Sequence, residues 1–373
     1  MTTFAQGRTP WIDHLRAFIT VLVIAHHAAL AYATFAAFHK EAYILSTHPV
    51  VDPHRWVPLD LFISFNDSFF MPLMFFISGL FTLPALQRKG AARFIRDRFR
   101  RLFIPFLLGV IILMEIAYYP AWLLSGHSID IAAYLRDFFT VEAWPVGPPW
   151  FIWVLFLFDV IVAMLYRPLM SLSAWITRMR IRPGAFILFF LLSTQLLYVP
   201  AALLFGSNTW TGIGPFDFQE SRLLLYFGYF LTGAVIGVTR LDQQLFRTDN
   251  RLSKSWLWWM TAGVAAFIVQ AFIFPGDGLP HSMFFALTTS LTCIAFLGVF
   301  KVLSNTESHI GRSLSGAAYG MYLVHYIFVV WMQYALVHID LPAGVKFMIV
   351  FITATLASWL LIKKIPARAG THT

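Results

Sequence analysis

The chain is poor in charged residues, and this scarcity excludes an ordinary soluble protein. Only 12% of its 373 residues are Asp, Glu, Lys or Arg, against roughly 25% in soluble domains. Hydrophobic residues make up 59%, and the mean hydropathy is +0.71. Apolar stretches of about 20 residues, long enough to cross a bilayer as a helix, recur along nearly the whole chain. We therefore predict an all-α polytopic membrane protein with a single integral-membrane domain over residues 1–373.

Cysteine is almost absent as well. The single residue, Cys293, forms no intrachain disulfide and cannot coordinate a metal ion alone. His26 and His27 are adjacent, so on a helix they point about 100° apart and cannot share one metal ion without distortion. We therefore predict no metal site. No internal repeat is evident either, which argues against an inverted-repeat transporter.

About ten segments are long and apolar enough to span the membrane. We predict spans at residues 14–36, 63–86, 102–124, 149–167, 184–206, 222–239, 255–275, 283–302, 315–337 and 344–364. The first resembles a signal peptide in its small residues, but its length and the histidine pair inside its apolar core favour a retained span.

The basic residues separate by side. Alternate loops and the two terminal segments hold 22 Lys and Arg, whereas the opposite loops hold five. The positive-inside rule therefore predicts cytosolic termini in a bacterial inner (cytoplasmic) membrane. The net charge of +9 is explained by this asymmetry, so we predict a lipid bilayer and no nucleic acid as partner. Three outer loops are long (37–62, 125–148 and 207–221) and are the natural meeting place for a large external ligand.

Ionisable residues occur inside the first predicted span. Arg16 and His27 are eleven positions apart, so they share a helix face about 16 Å apart. Asp13 is three residues before Arg16 and is expected to pair with it. A buried neutral imidazole can serve as a general base. For one histidine the alternative is an interhelical hydrogen bond, and the sequence leaves both interpretations open.

The segment 88–101 is strongly basic, with seven Lys or Arg among fourteen residues. Arg98 and Arg101 are three positions apart, so both guanidinium groups can face one polyphosphate. Snorkelling of these side chains towards anionic lipid is the alternative, and the two are compatible.

Further polar residues lie deep in apolar spans. Asp159 and Glu115 are placed to orient a histidine, and His325 follows Tyr322 by about one turn. For His325, catalytic or substrate contact and core hydrogen bonding stay equally open. Among the tryptophans, Trp56 and Trp144 in the outer loops are the better candidates for stacking on a sugar.

With these motifs in hand, the chain resembles the membrane acyltransferase-3 family. IDHLRAF (12–18) followed by His27 resembles the opening pattern, with Arg16 and His27 at the Arg-x10-His spacing. Residues 75–105 resemble the Ser-Gly turn, the RxxR element and the basic helix that enters the third span. YGMYLVHYIF (319–328) resembles the late Tyr-Leu-x-His element. The family's count of ten spans also agrees.

GPPWFIWVLFLFD (147–159) looks most like the glucan biosynthesis protein C subgroup, which resembles succinyl-transferring enzymes that act on periplasmic glucans. The same segment departs from many O-acetylating relatives, which carry a Trp-Ser-Leu-x-x-Glu element near here. Leu155 or Phe156 stands where that glutamate would be.

The resemblance implies transfer of an acetyl- or succinyl-type group from cytosolic acyl-CoA to a hydroxyl of an extracytoplasmic carbohydrate. The residues then expected to act in catalysis are His27, Asp159 and His325. Those expected to hold the acyl-CoA are Arg16, Asp13, Arg98, Arg101 and Ser78. Those expected to contact the acceptor are His26, Trp56, Trp150 and Tyr322.

Two other functions fit the same residues. In a proton-coupled transporter or flippase for a glycan or lipid, Asp159, Glu115 and His27 would form a proton relay. A non-catalytic scaffold in glycan synthesis would explain the topology but not the stripe from Arg16 to His27. The sequence leaves the oligomeric state open.

Overall fold

The computed structural model describes residues 10–140, 144–145, 147–179, 181–239, 251–304, 306 and 308–364. Over these ranges the only β-structure is an antiparallel pair of two-residue strands, β1 (Trp210–Thr211) and β2 (Phe218–Gln219). The predicted all-α fold is therefore confirmed. Both chain ends lie outside the described residues, and the cytosolic position of the termini stays a prediction.

Helices follow one another with short connections. In the first half they are α1 (Pro10–Leu30), α2 (Val57–Gly79), α3 (Thr82–Lys89), α4 (Ala91–Arg98), α5 (Ile104–Leu108), α6 (Met114–Leu124), α7 (Ile131–Thr140), α8 (Trp150–Met164) and α9 (Tyr166–Arg178). In the second half they are α10 (Pro183–Phe205), α11 (Glu220–Thr239), α12 (Arg251–Lys254), α13 (Trp256–Ile268), α14 (Leu279–Leu303), α15 (His309–Leu336) and α16 (Ala343–Lys364).

Among the described helices, eight are long and apolar enough to cross a membrane, and the bent pair α8–α9 makes nine if it is one span. This confirms a polytopic membrane protein. α1 matches the first predicted span in position and has 21 residues, a length of about 30 Å. It is not among the eight, and Asp13, Arg16 and the histidine pair make it more polar than the rest.

The basic segment and the third predicted span form one nearly continuous helical rod from Ala91 to Leu124. Two π-helical turns, Phe99–Phe103 and Gly109–Leu113, join its α-helical parts α4, α5 and α6. The helix therefore begins eleven residues before the predicted start at residue 102. Hydropathy locates only the apolar part of a helix, whereas Ala and Arg, both good helix formers, continue it beyond.

The fourth predicted span, 149–167, is broken. α8 has 15 residues, about 22 Å, and so is shorter than the hydrocarbon core of a bilayer. The chain then bends by 78° into α9. Residues 167–182 were expected to be a connecting loop, but they contain most of α9. Exposed Leu172 and Trp175 lie on that helix with Arg167 and Arg178, a composition typical of an interfacial helix.

α1 packs against α2, α14, α15 and α16, so the polar helix lies inside the bundle. α2 in turn packs closely on α11. A Cβ at Gly79 would collide with the carbonyl oxygen of Phe230, and one at Gly233 with that of Phe76. These two backbones approach each other closely because both crossing points are glycines, as is common between membrane helices.

The three long loops predicted to face outward converge on one face, which we call the loop face (residues 31–56, 125–149 and 206–219). Tyr43, in a 3-10 helix at Lys40–Leu45, donates a hydrogen bond to Asp137 on α7 at 2.7 Å. The first loop is also held to the last helix, because Lys346 lies 2.6 Å from Asp52 in a fully buried ion pair. The loop face is thus a built structure rather than a set of separate connections.

Candidate active site

A cavity of about 1050 Å³ lies beneath the loop face and reaches the middle of the bundle. Its walls come from α1, α2, α15 and all three long loops. The lining residues used below are His26, His27, Asp67, Trp144, Trp150, Asn208, Trp210, Asp217, Gln219, Tyr226, Tyr322 and Tyr326. The cavity therefore connects the predicted catalytic helix to the face where a large external ligand was expected.

His27 lines this cavity near the end of α1. Its Nδ1 lies 2.9 Å from the carbonyl oxygen of Val23, one turn earlier. A carbonyl oxygen only accepts, so Nδ1 carries the proton of the neutral ring. Among the described residues no hydrogen-bond partner reaches Nε2, which keeps its lone pair. His27 thus has the protonation pattern of a general base.

His325 on α15 is the neighbour of His27. Its Nδ1 lies 2.7 Å from the carbonyl oxygen of Tyr322, which fixes the proton on that nitrogen. Its Nε2 is left as an acceptor and lies 3.4 Å from His27 Nδ1. Because His325 is completely buried, the two rings form a histidine pair that is shielded from lipid and from bulk water.

Neighbouring side chains hold α1 at this point. Gln333 on α15 donates to the carbonyl oxygens of His27 at 3.1 Å and Ala28 at 3.2 Å. The Tyr326 ring stands edge-on to the His27 ring, with 5.2 Å between centroids. These contacts come from one helix 300 residues away in sequence, so they fix the orientation of His27 by tertiary packing.

His26 faces a different wall of the same cavity. Its ring packs against Phe70 on α2, with 5.0 Å between centroids. The side chain is 8% exposed, and its Nδ1 has no hydrogen-bond partner among the described residues. The two adjacent histidines therefore do different things, as their 100° separation predicted: His27 pairs with His325, and His26 does not.

A buried arginine stands behind the cavity wall. Arg222 at the start of α11 lies 2.7 Å from the Asp67 carboxylate and donates to Asn208 at 3.1 Å. Its guanidinium lies over the ring of Phe285 at 4.8 Å. Asp67 and Asn208 line the cavity, whereas Arg222 does not. The arginine thus neutralises Asp67 and orients both polar groups.

Asp217 is the second carboxylate in the cavity wall. Trp153 donates to its backbone carbonyl at 3.0 Å, which fixes the loop between β1 and β2. Half-burial of the side chain raises the pKa of the Asp217 carboxyl to about 6. The sequence analysis gave Asp217 no role, because an acidic residue in an outer loop looks like any solvated charge.

Asp159 lies elsewhere. It is 1% exposed on α8, accepts a hydrogen bond from Thr82 at 3.1 Å, and its second oxygen lies 3.1 Å from Arg98 Nε. The latter contact is an ion pair whose angle is outside the range of a hydrogen bond. Asp159 therefore does not orient His27 or His325; it contacts a residue of the predicted phosphate site.

The predicted acyl-CoA residues lie at the opposite end of the bundle, which we call the basic face (Arg16, Arg98 and Arg101). Arg16 pairs with Asp13 at 3.1 Å, as its spacing predicted, and donates to the Ser315 carbonyl at 3.3 Å. Tyr319, also early in α15, donates to the Arg101 carbonyl at 2.6 Å. None of the three arginines lines the cavity.

The α15 helix gives an independent measure of this offset. Ser315, beside Arg16, precedes His325 by ten residues, about 15 Å along a helix. This agrees with the distance of about 16 Å between Arg16 and His27 along α1. Ser78, the remaining predicted acyl-CoA residue, donates within its own helix to the Met74 carbonyl at 2.9 Å.

The predicted acceptor residues divide in the same way. His26, Trp150 and Tyr322 line the cavity, and the Tyr322 hydroxyl donates to the Pro148 carbonyl of the second loop. Trp56 does not line it and stands against Gly344 at the start of α16. Trp144 and Trp210 are the loop tryptophans that do.

Comparison with known proteins supplies the family. The family model for the acyltransferase domain of type 3 (Acyl_transf_3) matches residues 9–363. No curated protein matches the chain, and no solved structure does. The match covers nearly the whole chain, including both histidines and the arginines of the basic face, so the chain belongs to this family of membrane acyltransferases.

Proposed function

We propose that the protein moves an acyl group from cytosolic acyl-CoA to a hydroxyl group of an extracytoplasmic glycan, across a bacterial inner membrane. The observation that carries the proposal is the histidine pair at the inner end of the cavity, with the lone pair of His27 Nε2 available to a ligand. The resemblance to the glucan biosynthesis subgroup favours a glucan acceptor and an acetyl- or succinyl-type group.

The chemistry is acyl transfer with His27 as the general base. Nε2 takes the proton of the acceptor hydroxyl while the oxygen forms a bond to the thioester carbonyl carbon. The carbon–sulfur bond then breaks, and the CoA thiolate takes the proton from the imidazolium. His325 Nε2 accepts a hydrogen bond from His27 Nδ1–H throughout, which stabilises the positive ring.

The donor half rests on the basic face. Arg98 uses Nε for the ion pair with Asp159, so the terminal nitrogens of its guanidinium remain for a phosphate. Arg101 is exposed one helical turn further on. The phosphates of CoA would bind here, and the pantetheine arm would extend about 16 Å along α1 to bring the thioester to His27. In this proposal Asp159 positions Arg98 instead of taking part in catalysis.

The test is acyl transfer by purified protein in lipid nanodiscs, with acetyl-CoA or succinyl-CoA as donor and periplasmic glycans as acceptor. Release of the CoA thiol and the mass of the glycan are both measured. We expect His27→Ala to lower the rate by about 10²–10⁴-fold while acyl-CoA binding is retained. His338→Ala is the matched control, because that histidine is exposed beyond the end of α15. Unchanged transfer by His27→Ala would exclude the assignment.

The same preparation separates the other two functions. A proton-coupled transporter or flippase would move protons with its substrate and consume no CoA. A scaffold would leave glycan acylation normal in cells that carry only the His27→Ala protein. Mass analysis of surface glycans from cells with and without the protein identifies the acyl group by its mass.

A further inference from the structure

The upper part of the cavity has aromatic walls. Trp150 at the start of α8 and Trp210 on β1 are perpendicular, with 5.5 Å between ring centroids, and the Tyr226 ring lies 5.7 Å from Trp150. Trp144 faces them from the second loop. Rings that are large, rigid and partly exposed offer flat faces to the apolar faces of pyranose sugars.

Polar groups stand between these rings, and most of them accept hydrogen bonds. They are Asp67 and Asn208, both held by Arg222, together with Asp217 and Gln219. His26 adds a second, independent sign of a ligand, since it is more than nine-tenths buried and its Nδ1 has no partner among the described residues. Such a set fits a polyol, whose hydroxyl groups both donate and accept.

The charge of the lining is one-sided. None of its described residues is a lysine or an arginine. Arg222 is 2% exposed and already paired with Asp67, which makes that pair neutral as a unit. Asp217 has no cationic partner among the described residues. A carboxylate or phosphate on a bound saccharide would therefore find no counter-ion and would face a negative charge.

We propose that this cavity is a subsite for an uncharged saccharide and that Asp217 excludes anionic ones. The inference rests on the proposed function, because it assigns the class of acceptor that the same site would take. It names Asp217 and Trp210 as residues that determine acceptor binding. Neither was predicted from the sequence.

Binding without acyl-CoA tests the inference separately from catalysis. Purified His27→Gln protein is titrated, by tryptophan fluorescence and calorimetry, with glucose pentamers of α-1,4, β-1,3 and β-1,4 linkage and with uronic acid pentamers. At pH 7.5 we expect at least one neutral pentamer to bind about tenfold more tightly than any anionic one. Equal or tighter binding of an anionic pentamer, or no binding of any neutral one, would overturn the proposal.

Two pairs of variants locate the effect. Asp217→Asn should strengthen binding of the anionic pentamers about tenfold, whereas Glu41→Gln, an exposed loop carboxylate outside the cavity, should not. Trp210→Ala should weaken the neutral pentamer about tenfold, and Trp210→Phe should restore part of it. Trp175→Ala on α9 is the control. Loss of transfer with selective binding intact would reject the proposed chemistry and leave this inference standing.

Discussion

At the scale of single residues, the histidine pair divides the work between two rings. His27 has its free nitrogen towards the cavity, while His325 has both nitrogens occupied by Tyr322 and His27. The second ring is neutral and acts only through the first, so it is a positioning residue. A neutral acceptor stabilises an imidazolium less than a carboxylate does, because it supplies a dipole instead of a charge.

Replacing His325 should therefore slow transfer without preventing donor binding. We expect His325→Ala to lower kcat by about 10–100-fold, and His325→Gln to recover part of the loss by restoring an acceptor near His27 Nδ1. The KM for acyl-CoA should change little. Steady-state kinetics on the two variants measures this split. A change confined to KM would show that His325 acts on the donor.

Asp159 leads to the opposite split. Asp159→Asn removes the charge that holds Arg98 but keeps an acceptor for Thr82. We expect the KM for acyl-CoA to rise about tenfold, with kcat nearly unchanged. Asp130→Asn on the loop face serves as the control, since its carboxylate is exposed. A large fall in kcat at unchanged KM would return Asp159 to the catalytic role that the sequence suggested.

Asp217 should make stability depend on pH. Its pKa is raised to about 6 in the folded protein, against about 3.9 for an unperturbed Asp. Between these values the folded state binds more protons than the unfolded state, so the stability from this group falls as pH rises from about 4 to about 6. Asp217→Asn should therefore raise the unfolding temperature above pH 6 and leave it unchanged near pH 4.

Thermal unfolding in detergent, followed at several pH values, checks this. The other ionisable groups of the cavity are Asp67, which is paired with Arg222, and the two histidines of α1. Because all of these remain in the variant, the difference between variant and wild type reports Asp217 alone. An equal shift at every pH would mean that the substitution acts through packing.

At the scale of elements, the crossing of α2 and α11 sets the width of the cavity floor. Gly233→Ala would bring a Cβ onto the Phe76 carbonyl oxygen. We expect a loss of about 1–3 kcal/mol, typical of overpacking. Gly316→Ala on α15 meets no atom within 4 Å and is exposed, so it should be neutral or slightly stabilising. Unfolding temperatures of both variants test this, and equal effects would contradict it.

The elements also show where local sequence patterns stop being informative. The hydropathy of residues 149–167 predicted one span, yet α8 ends at Met164 and the chain bends by 78°. The bend places α9, with exposed apolar residues next to its arginines, across the end of α8. Average hydropathy does not distinguish such a broken helix from a straight one, because both bury similar amounts of apolar surface.

At the scale of the whole molecule, the two ends of the site must lie on opposite sides of the membrane. Cys293 is buried, so Cys293→Ser gives a background without reactive thiols. In intact cells, a membrane-impermeant maleimide should label Glu41→Cys on the loop face. Arg96→Cys, near the basic face, should react only after permeabilisation. Both positions are exposed. The reverse pattern would turn the cavity towards the cytosol and contradict the proposed acceptor.

The sequence by itself determined the membrane class, the helical architecture, the polar first helix and the family. These depend on local quantities: the hydropathy of a window, the spacing of residues on one helix, and motifs in a fixed order. The ion pair of Asp13 with Arg16, three residues apart, was predictable for the same reason.

Only the tertiary structure decided which polar groups meet. His27 and His325 are 298 positions apart, and nothing in either segment identifies the other. Asp159 was expected beside a histidine, but packing of α8 against α4 gives it to Arg98. Buried polar groups must find partners in a low-dielectric interior, and the partner is chosen by which helices pack together, a property of the whole chain that no segment carries.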